Sequence, residues 1–120
     1  MFCNTLKSYA EIDFYKYAYS VKGLPMIVQV LDHITDEIKQ IRIDVFMKEQ
    51  GFEDEFDEID EIAKFVLLYI DGKPAGTCRY FPSNEEGDAH IGRMAVRKLY
   101  RGQHLGTKIM MAAENGIRRD

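Results

Sequence analysis

The segment Tyr100-Arg101-Gly102-Gln103-His104-Leu105-Gly106-Thr107 holds the residues whose types and spacing are best suited to chemistry. It follows an apolar stretch of strand length and opens a helical pattern. The first amides of a helix have no acceptor within it, and the helix dipole is positive at that end. A phosphate or pyrophosphate fits there. Gly102 and Gly106 let the backbone approach a ligand with no Cβ in the way, and Arg101 adds a cation at the rim. The same residues also read as a helix start that binds nothing, and a short glycine pattern does not decide between the two. Two other phosphate motifs are excluded. A P-loop needs four residues between its glycines and then Lys-Ser or Lys-Thr, whereas Gly102 and Gly106 enclose three and Thr107 precedes Lys108. The dinucleotide fingerprint needs three glycines at set spacing, which this segment lacks.

The elements that must position this segment follow from periodicity and turn signals. Gly23-Leu24-Pro25 is a break, and Met26 to Leu31 reads as a short strand. Asp32 or Thr35 caps a following helix, in which Ile34, Ile38, Ile41 and Val45 form one buried stripe and which Gly51 ends. Glu53 to Glu61 reads as an acidic loop anchored by Phe56 and Ile59. Phe65 to Ile70, the turn Asp71-Gly72-Lys73-Pro74, and Ala75 to Phe81 form an antiparallel hairpin. His90 to Val96 is a further strand, Arg97 to Gly102 a basic loop, and from about Gln103 a helix turns Leu105, Ile109, Ala112, Ala113 and Ile117 inward. The expected fold class is α/β of the α+β kind, with a largely antiparallel sheet.

Composition narrows the function. A chain of 120 residues suits one domain, and a net charge of −4 argues against a nucleic-acid binder. Acidic residues crowd the stretch from Glu49 to Glu61. Arg93, Arg97, Lys98, Arg101, Lys108, Arg118 and Arg119 populate the last quarter. A basic end suits an anionic ligand and an acidic loop a cationic one, while both also read as solvated faces. Cys3 and Cys78 fit neither a metal spacing nor a disulfide framework, so no metal is expected and a reducing cytoplasmic setting is the simplest. No apolar run has the length of a membrane span, and no signal peptide is evident, so no membrane partner is expected.

The strand-to-helix segment resembles the signature of the GNAT superfamily of N-acetyltransferases: Arg or Gln, two residues, Gly, one residue, then Gly or Ala. Arg101, Leu105 and Gly106 fit, and His104 stands where the first signature glycine usually is. Ile91-Gly92-Arg93-Met94-Ala95-Val96 resembles the strand before that signature. Ile43-Asp44-Val45-Phe46-Met47-Lys48-Glu49-Gln50, followed by Glu55-Phe56-Asp57-Glu58-Ile59-Asp60, is similar to a small bacterial subgroup of the superfamily. The resemblance covers Met26 to about Arg119 and implies a mixed, mostly antiparallel twisted sheet flanked by helices.

It also implies acetyl-CoA as cosubstrate, with its pyrophosphate on the amides of Gln103 to Thr107 (Gln103, His104, Leu105, Gly106 and Thr107), beside Arg101 and Gly102. Its pantetheine arm would pair with backbone groups of Met94, Ala95 and Val96. An amine of a small molecule or peptide would attack the thioester carbonyl directly, with the amide near Met94 steadying the oxyanion. No covalent enzyme intermediate is needed, and no Cys-His pair is evident. Glu49, at the helix end beside the acidic loop, is the first candidate for the base, and His90, just before the cofactor strand, the second. Each also reads as a structural or solvated residue.

A chain of this superfamily usually continues past the signature helix with a strand, a helix bearing a Phe-Tyr pair and a closing hairpin, whereas this sequence ends at Asp120. Tyr9-Ala10-Glu11-Ile12-Asp13-Phe14-Tyr15-Lys16, followed by Tyr19-Ser20-Val21-Lys22-Gly23, resembles that late helix and the strand after it. Phe2 to Leu6 would then supply the missing strand. A circularly permuted order, or strand exchange in a homodimer, is the expectation, with Tyr15 matching the tyrosine that reprotonates the leaving thiolate. An unrelated N-terminal arm with core-packing aromatics is the alternative. The whole chain then reads as one acyl-transfer domain, with residues 1–25 as the displaced part and 26–120 as the core. The alternatives to an enzyme are an inactive CoA-binding or protein-interaction module and a structural dimer joined at the open sheet edge.

Overall fold

Alternating apolar residues from Met26 to Val30 set the faces of the sheet. The computed structural model describes residues 16–21, 23–53, 56–83 and 87–119. In it Met26, Val28 and Val30 of β2 (Leu24–Leu31) are buried together in one core. Beside β2, β3 (Lys64–Ile70) is buried on both faces at Phe65, Val66, Leu67 and Leu68. A strand covered on both sides reads as a continuous apolar run, which is why its sequence shows no alternation. β1 (Lys16–Val21), β4 (Lys73–Pro82) and β5 (Ala89–Val96) complete a five-stranded sheet in the order β1-β2-β3-β4-β5, with every neighbouring pair antiparallel.

β3 and β4 meet at Asp71 and Gly72, whose φ values are 50 and 78. Two positive φ angles in a two-residue turn match the twist of the strands they join. Lys73 and Pro74, expected in the turn, are the first residues of β4 and pair with Ile70 and Tyr69. The ladder shifts register between Leu68 and Tyr69, beside Pro74, which has no N–H to donate.

Thr35 is the cap of α1 (Asp36–Arg42), its hydroxyl oxygen accepting the Ile38 amide at 3.3 Å. The helix does not stay α. Ile43–Glu49 forms π-helical turns, and the Gln50 amide reaches the Val45 carbonyl at 3.1 Å. Bonds from i to i+5 stack residues five apart. Asp44 and Glu49 are therefore presented to the same side, whereas five residues of α-helix would set them about 140° apart. Gly51, with φ 82, ends the segment.

The sheet separates two cores. On one face α2 (Leu105–Arg119) packs Leu105, Ile109, Ala112 and Ala113 against Val28, Val66, Leu68 and Cys78, with Ile117 at the margin. The approach is close at Gly76 of β4, where a Cβ would stand 2.7 Å from the Ile109 Cδ1 and 3.1 Å from the Ala95 carbonyl oxygen. On the other face Ile38, Ile41 and Val45 pack on Phe65, Leu67 and Ala95, with Ile34 and Ile59 at the margin. No helix among the described residues is long and apolar enough to cross a membrane.

The N-terminal expectation is corrected in part. Lys16, placed in a helix by the permuted reading, begins β1, and β1 pairs with β2 at the sheet edge opposite β5. Phe2 to Leu6, Tyr9 to Phe14 and Tyr15 lie outside the described residues. Among the described residues no strand pairs with the outer edge of β5.

Candidate active site

The site is built where β5 loses its regular pairing with β4. Thr77 pairs with Ala95 and Arg79 with Gly92, so β5 takes three steps where β4 takes two. The extra residue forms a bulge at Arg93, whose φ is 51. Neither Arg93 nor Met94 has a register partner on β4, so the ladder is interrupted there. Met94 and Val96 pack toward the α2 core, and Ala95 is buried in the α1 core.

After β5 the chain is fastened before it reaches α2. The Arg97 amide donates to the Ala75 carbonyl at 2.8 Å, and one turn of 3-10 helix follows at Lys98–Tyr100. Gly102 and His104 then take left-handed φ values of 84 and 61. The family pattern places a glycine where His104 stands, and the backbone there has the conformation that glycine adopts without cost. Histidine is among the residues that tolerate it best. His104 leads into the first turn of α2, whose leading amides have no acceptor inside the helix. A Cβ on Gly106 would meet nothing within 4 Å.

Arg101 is committed within the protein. Its Nε donates to the Val96 carbonyl at 2.8 Å, and its two terminal nitrogens donate to the Glu49 carboxylate at 2.6 Å each. The Arg101 guanidinium holds the Glu49 carboxyl below the ordinary carboxylate value, which makes it a weaker base. Arg97 likewise donates to Asp44 at 2.7 Å. The π-helical turns thus grip the loop through two carboxylates on one side. Between them lies a groove of about 620 Å³, lined in part by Lys48, Lys73, Lys98 and Tyr100.

His90 is not brought to this place. It is exposed at the other end of β5, its ring 5.2 Å from that of Phe81. Val96 is six strand positions away, about 20 Å. The structure therefore joins Glu49 to Arg101 and leaves His90 apart from both. Cys78 is no nucleophile, because burial pushes its thiol up to about 12.

The acidic loop divides in two: Glu53, Glu58 and Glu61 are exposed, as a solvated face would be, whereas Asp57 and Asp60 turn to arginines of the body. Asp57 caps a 3-10 turn at Glu58–Glu61 and accepts from Arg79 at 2.6 and 3.2 Å and from Arg93 at 3.2 Å. Asp60 accepts from Arg42 at 2.8 and 3.1 Å and from Arg79 at 3.0 Å. Arg42 and Arg79 are 1% and 4% exposed, and the Arg42 guanidinium lies 4.7 Å over the Phe56 ring. Burial alone would raise Asp60, but the hydrogen bonds from Arg42 and Arg79 outweigh it and hold the carboxyl low; Arg79 does the same for Asp57. Arg42, Arg79 and Arg93, the last expected to face an anionic ligand, instead bind carboxylates. A signal was present in the sequence: Arg42 continues the apolar face of a helix and Arg79 sits inside an apolar strand, and buried cations require partners.

The largely antiparallel sheet, with β5 leading into a glycine-bearing helix start, agrees with the resemblance to the GNAT acyltransferases. The chain belongs to the acetyltransferase (GNAT) family, whose profile matches residues 30–119. It is 33% identical over 76 residues to the uncharacterised N-acetyltransferase YjcF of Bacillus subtilis, covering 62% of this chain and 53% of that protein. The chain thus spans about half the length of that curated relative. Two solved structures share the fold: a candidate N-acetyltransferase from Lactobacillus plantarum and an acyl-CoA N-acyltransferase from Pseudomonas aeruginosa. The first has a TM-score of 0.69 at 27% identity, covering 78% of this chain and 68% of that one. The second has a TM-score of 0.68 at 27% identity, covering 78% and 71%.

Proposed function

We propose that this chain binds acetyl-CoA and transfers its acetyl group directly to a primary amine of a small molecule or peptide. The bulge at Arg93 is the observation that carries this reading. It interrupts the ladder one residue before Met94, on a strand that leads straight to the helix start. The Met94 amide then serves the thioester oxygen, which gains charge as the amine attacks. The C–N bond forms, the C–S bond breaks, and CoA leaves as the thiol once its sulfur takes a proton. The amides at the start of α2, with Gly106 open in front of them, receive the pyrophosphate. Lys48, Lys73 and Lys98 around the adjoining groove suit an anionic ligand. Glu49 and His90 are the candidates for the base, at opposite ends of β5, and Tyr15 is the candidate acid.

A second reading, a module that binds CoA without turnover, is favoured by one observation. The Glu49 carboxylate is already held by Arg101, and a carboxylate so held accepts a proton poorly. Calorimetry with acetyl-CoA tests binding, and release of free CoA with a panel of amines tests transfer. Binding with CoA release supports the enzyme; binding without release supports the module; absence of binding overturns both.

A further inference from the structure

The left-handed residue of the β5 bulge is in the more costly of two adjacent places. Gly92 would adopt a positive φ without penalty, and a Cβ on it would meet nothing within 4 Å. Yet the positive φ falls on Arg93, a residue that pays for it, and not on Gly92. Something outside the strand must choose. The Arg93 side chain reaches Asp57 at 3.2 Å, and the same carboxylate holds Arg79 at 2.6 Å. Arg79 is the β4 residue paired with Gly92. Asp57 therefore grips both strands beside the bulge. It is itself fixed by its hydrogen bonds within the turn at Glu58–Glu61, where the Ile59 amide donates to it at 3.2 Å and its own amide donates to Asp60 at 3.2 Å.

We propose that Asp57 is a positioning residue for acyl transfer: by tethering Arg93 and Arg79 together it fixes the bulge at Arg93 and so sets the direction of the Met94 amide. The proposal rests on the acetyl-transfer reading above. Without the tether the bulge slides one residue, to Gly92, and the Met94 amide returns toward the ladder.

The test uses the full chain. Asp57→Asn keeps an oxygen for the cap and weakens the charge-assisted hold on Arg93. It should lower kcat about tenfold, ~1.4 kcal/mol, with KM for acetyl-CoA changed by less than about twofold, the pattern of an interaction made in the transition state. In nuclear magnetic resonance spectra the positive-φ signature should move from Arg93 to Gly92. Adding Gly92→Ala closes that alternative and should return both the signature and most of kcat. Arg93→Ala, which removes the tether from the other end, should lower kcat at least as much as Asp57→Asn. Retention of the positive-φ signature at Arg93 in Asp57→Asn overturns the proposal, as does a kcat loss that Gly92→Ala does not recover. A wild-type chain that releases no CoA with any amine counts against the acetyl-transfer reading, and the position of the signature still decides whether Asp57 fixes the bulge.

Discussion

Glu49 and Arg101, 52 positions apart, hold each other through two hydrogen bonds of 2.6 Å. One was expected to take a proton and the other to meet a phosphate, and each occupies the other. The first consequence concerns Glu49→Gln. With the loop before α2 no longer fastened through Arg101, the amides of the helix start lose their fixed place, and KM for acetyl-CoA should rise about tenfold while kcat changes little, as for a loss of uniform binding. A general base would leave a different record, a kcat loss of about 10²–10⁴. Steady-state kinetics at neutral pH tells the two apart.

Acid should weaken the fold through Asp57 and Asp60. Both carboxyls are held below the ordinary aspartate value of 3.8, Asp57 chiefly by Arg79 and Asp60 by Arg42 and Arg79 against its own burial. Between the folded and unfolded values the unfolded chain binds more protons, so stability rises with pH there. The stabilisation is fully present above about pH 5 and is lost as pH falls through the lowered folded values. Urea denaturation from pH 7 down to pH 3 should show this decline, and Asp60→Asn should flatten it. Asp60→Ala at neutral pH leaves the buried Arg42 without its bidentate partner and should cost about 3–5 kcal/mol.

Gly76 and Gly106 should respond to alanine in opposite ways. At Gly76 the new methyl meets the Ile109 Cδ1 and the Ala95 carbonyl, and such overpacking costs about 1–3 kcal/mol. Ile109→Val removes the nearer obstacle and should recover part of the loss in a thermal melt.

At Gly106 the methyl meets nothing, and an alanine inside a helix is favoured over glycine by about 1 kcal/mol. Gly106→Ala should therefore raise the melting temperature. Larger side chains such as Gly106→Leu should abolish acetyl-CoA binding while the chain stays folded. Unchanged affinity in calorimetry would remove the pyrophosphate from this place.

His104→Gly relieves a left-handed φ of 61, worth about 1 kcal/mol. It also clears the approach to the α2 amides. Both the melting temperature and acetyl-CoA affinity should increase; a fall in affinity would make the imidazole itself a ligand contact.

The parts of the fold governed by local rules were legible. Ile38, Ile41 and Val45 declared their stripe; the cap was narrowed to Asp32 or Thr35, of which Thr35 serves, and the turn lies at Asp71-Gly72, two residues shorter than its signals. The family likeness was legible in Arg101, Leu105 and Gly106. Long-range pairing was not. No local rule announces that Asp57 will meet Arg79 and Arg93, 22 and 36 positions away, or that part of a charge run will turn inward. The bulge was hidden for another reason. Its left-handed residue is an arginine next to a glycine, so residue preference alone points to the wrong member of the pair. The π-helical turns were hidden because Ile43–Glu49 continues a helical pattern, and a change of pitch leaves composition untouched.

That change of pitch makes chain length itself a coordinate of the site. Asp44 and Glu49 address Arg97 and Arg101 in phase only because the segment between them is wound loosely. Deleting one residue from Val45–Lys48 would let the helix rewind as α with the two carboxylates four positions apart, about 40° from each other and still on one face. Rewinding as α at the present length would instead set them about 140° apart, and the loop before α2 would lose one of its two fastenings. In this part of the molecule the fifth residue and the loose winding belong together: with that residue kept, losing the winding alone would turn the two carboxylates apart.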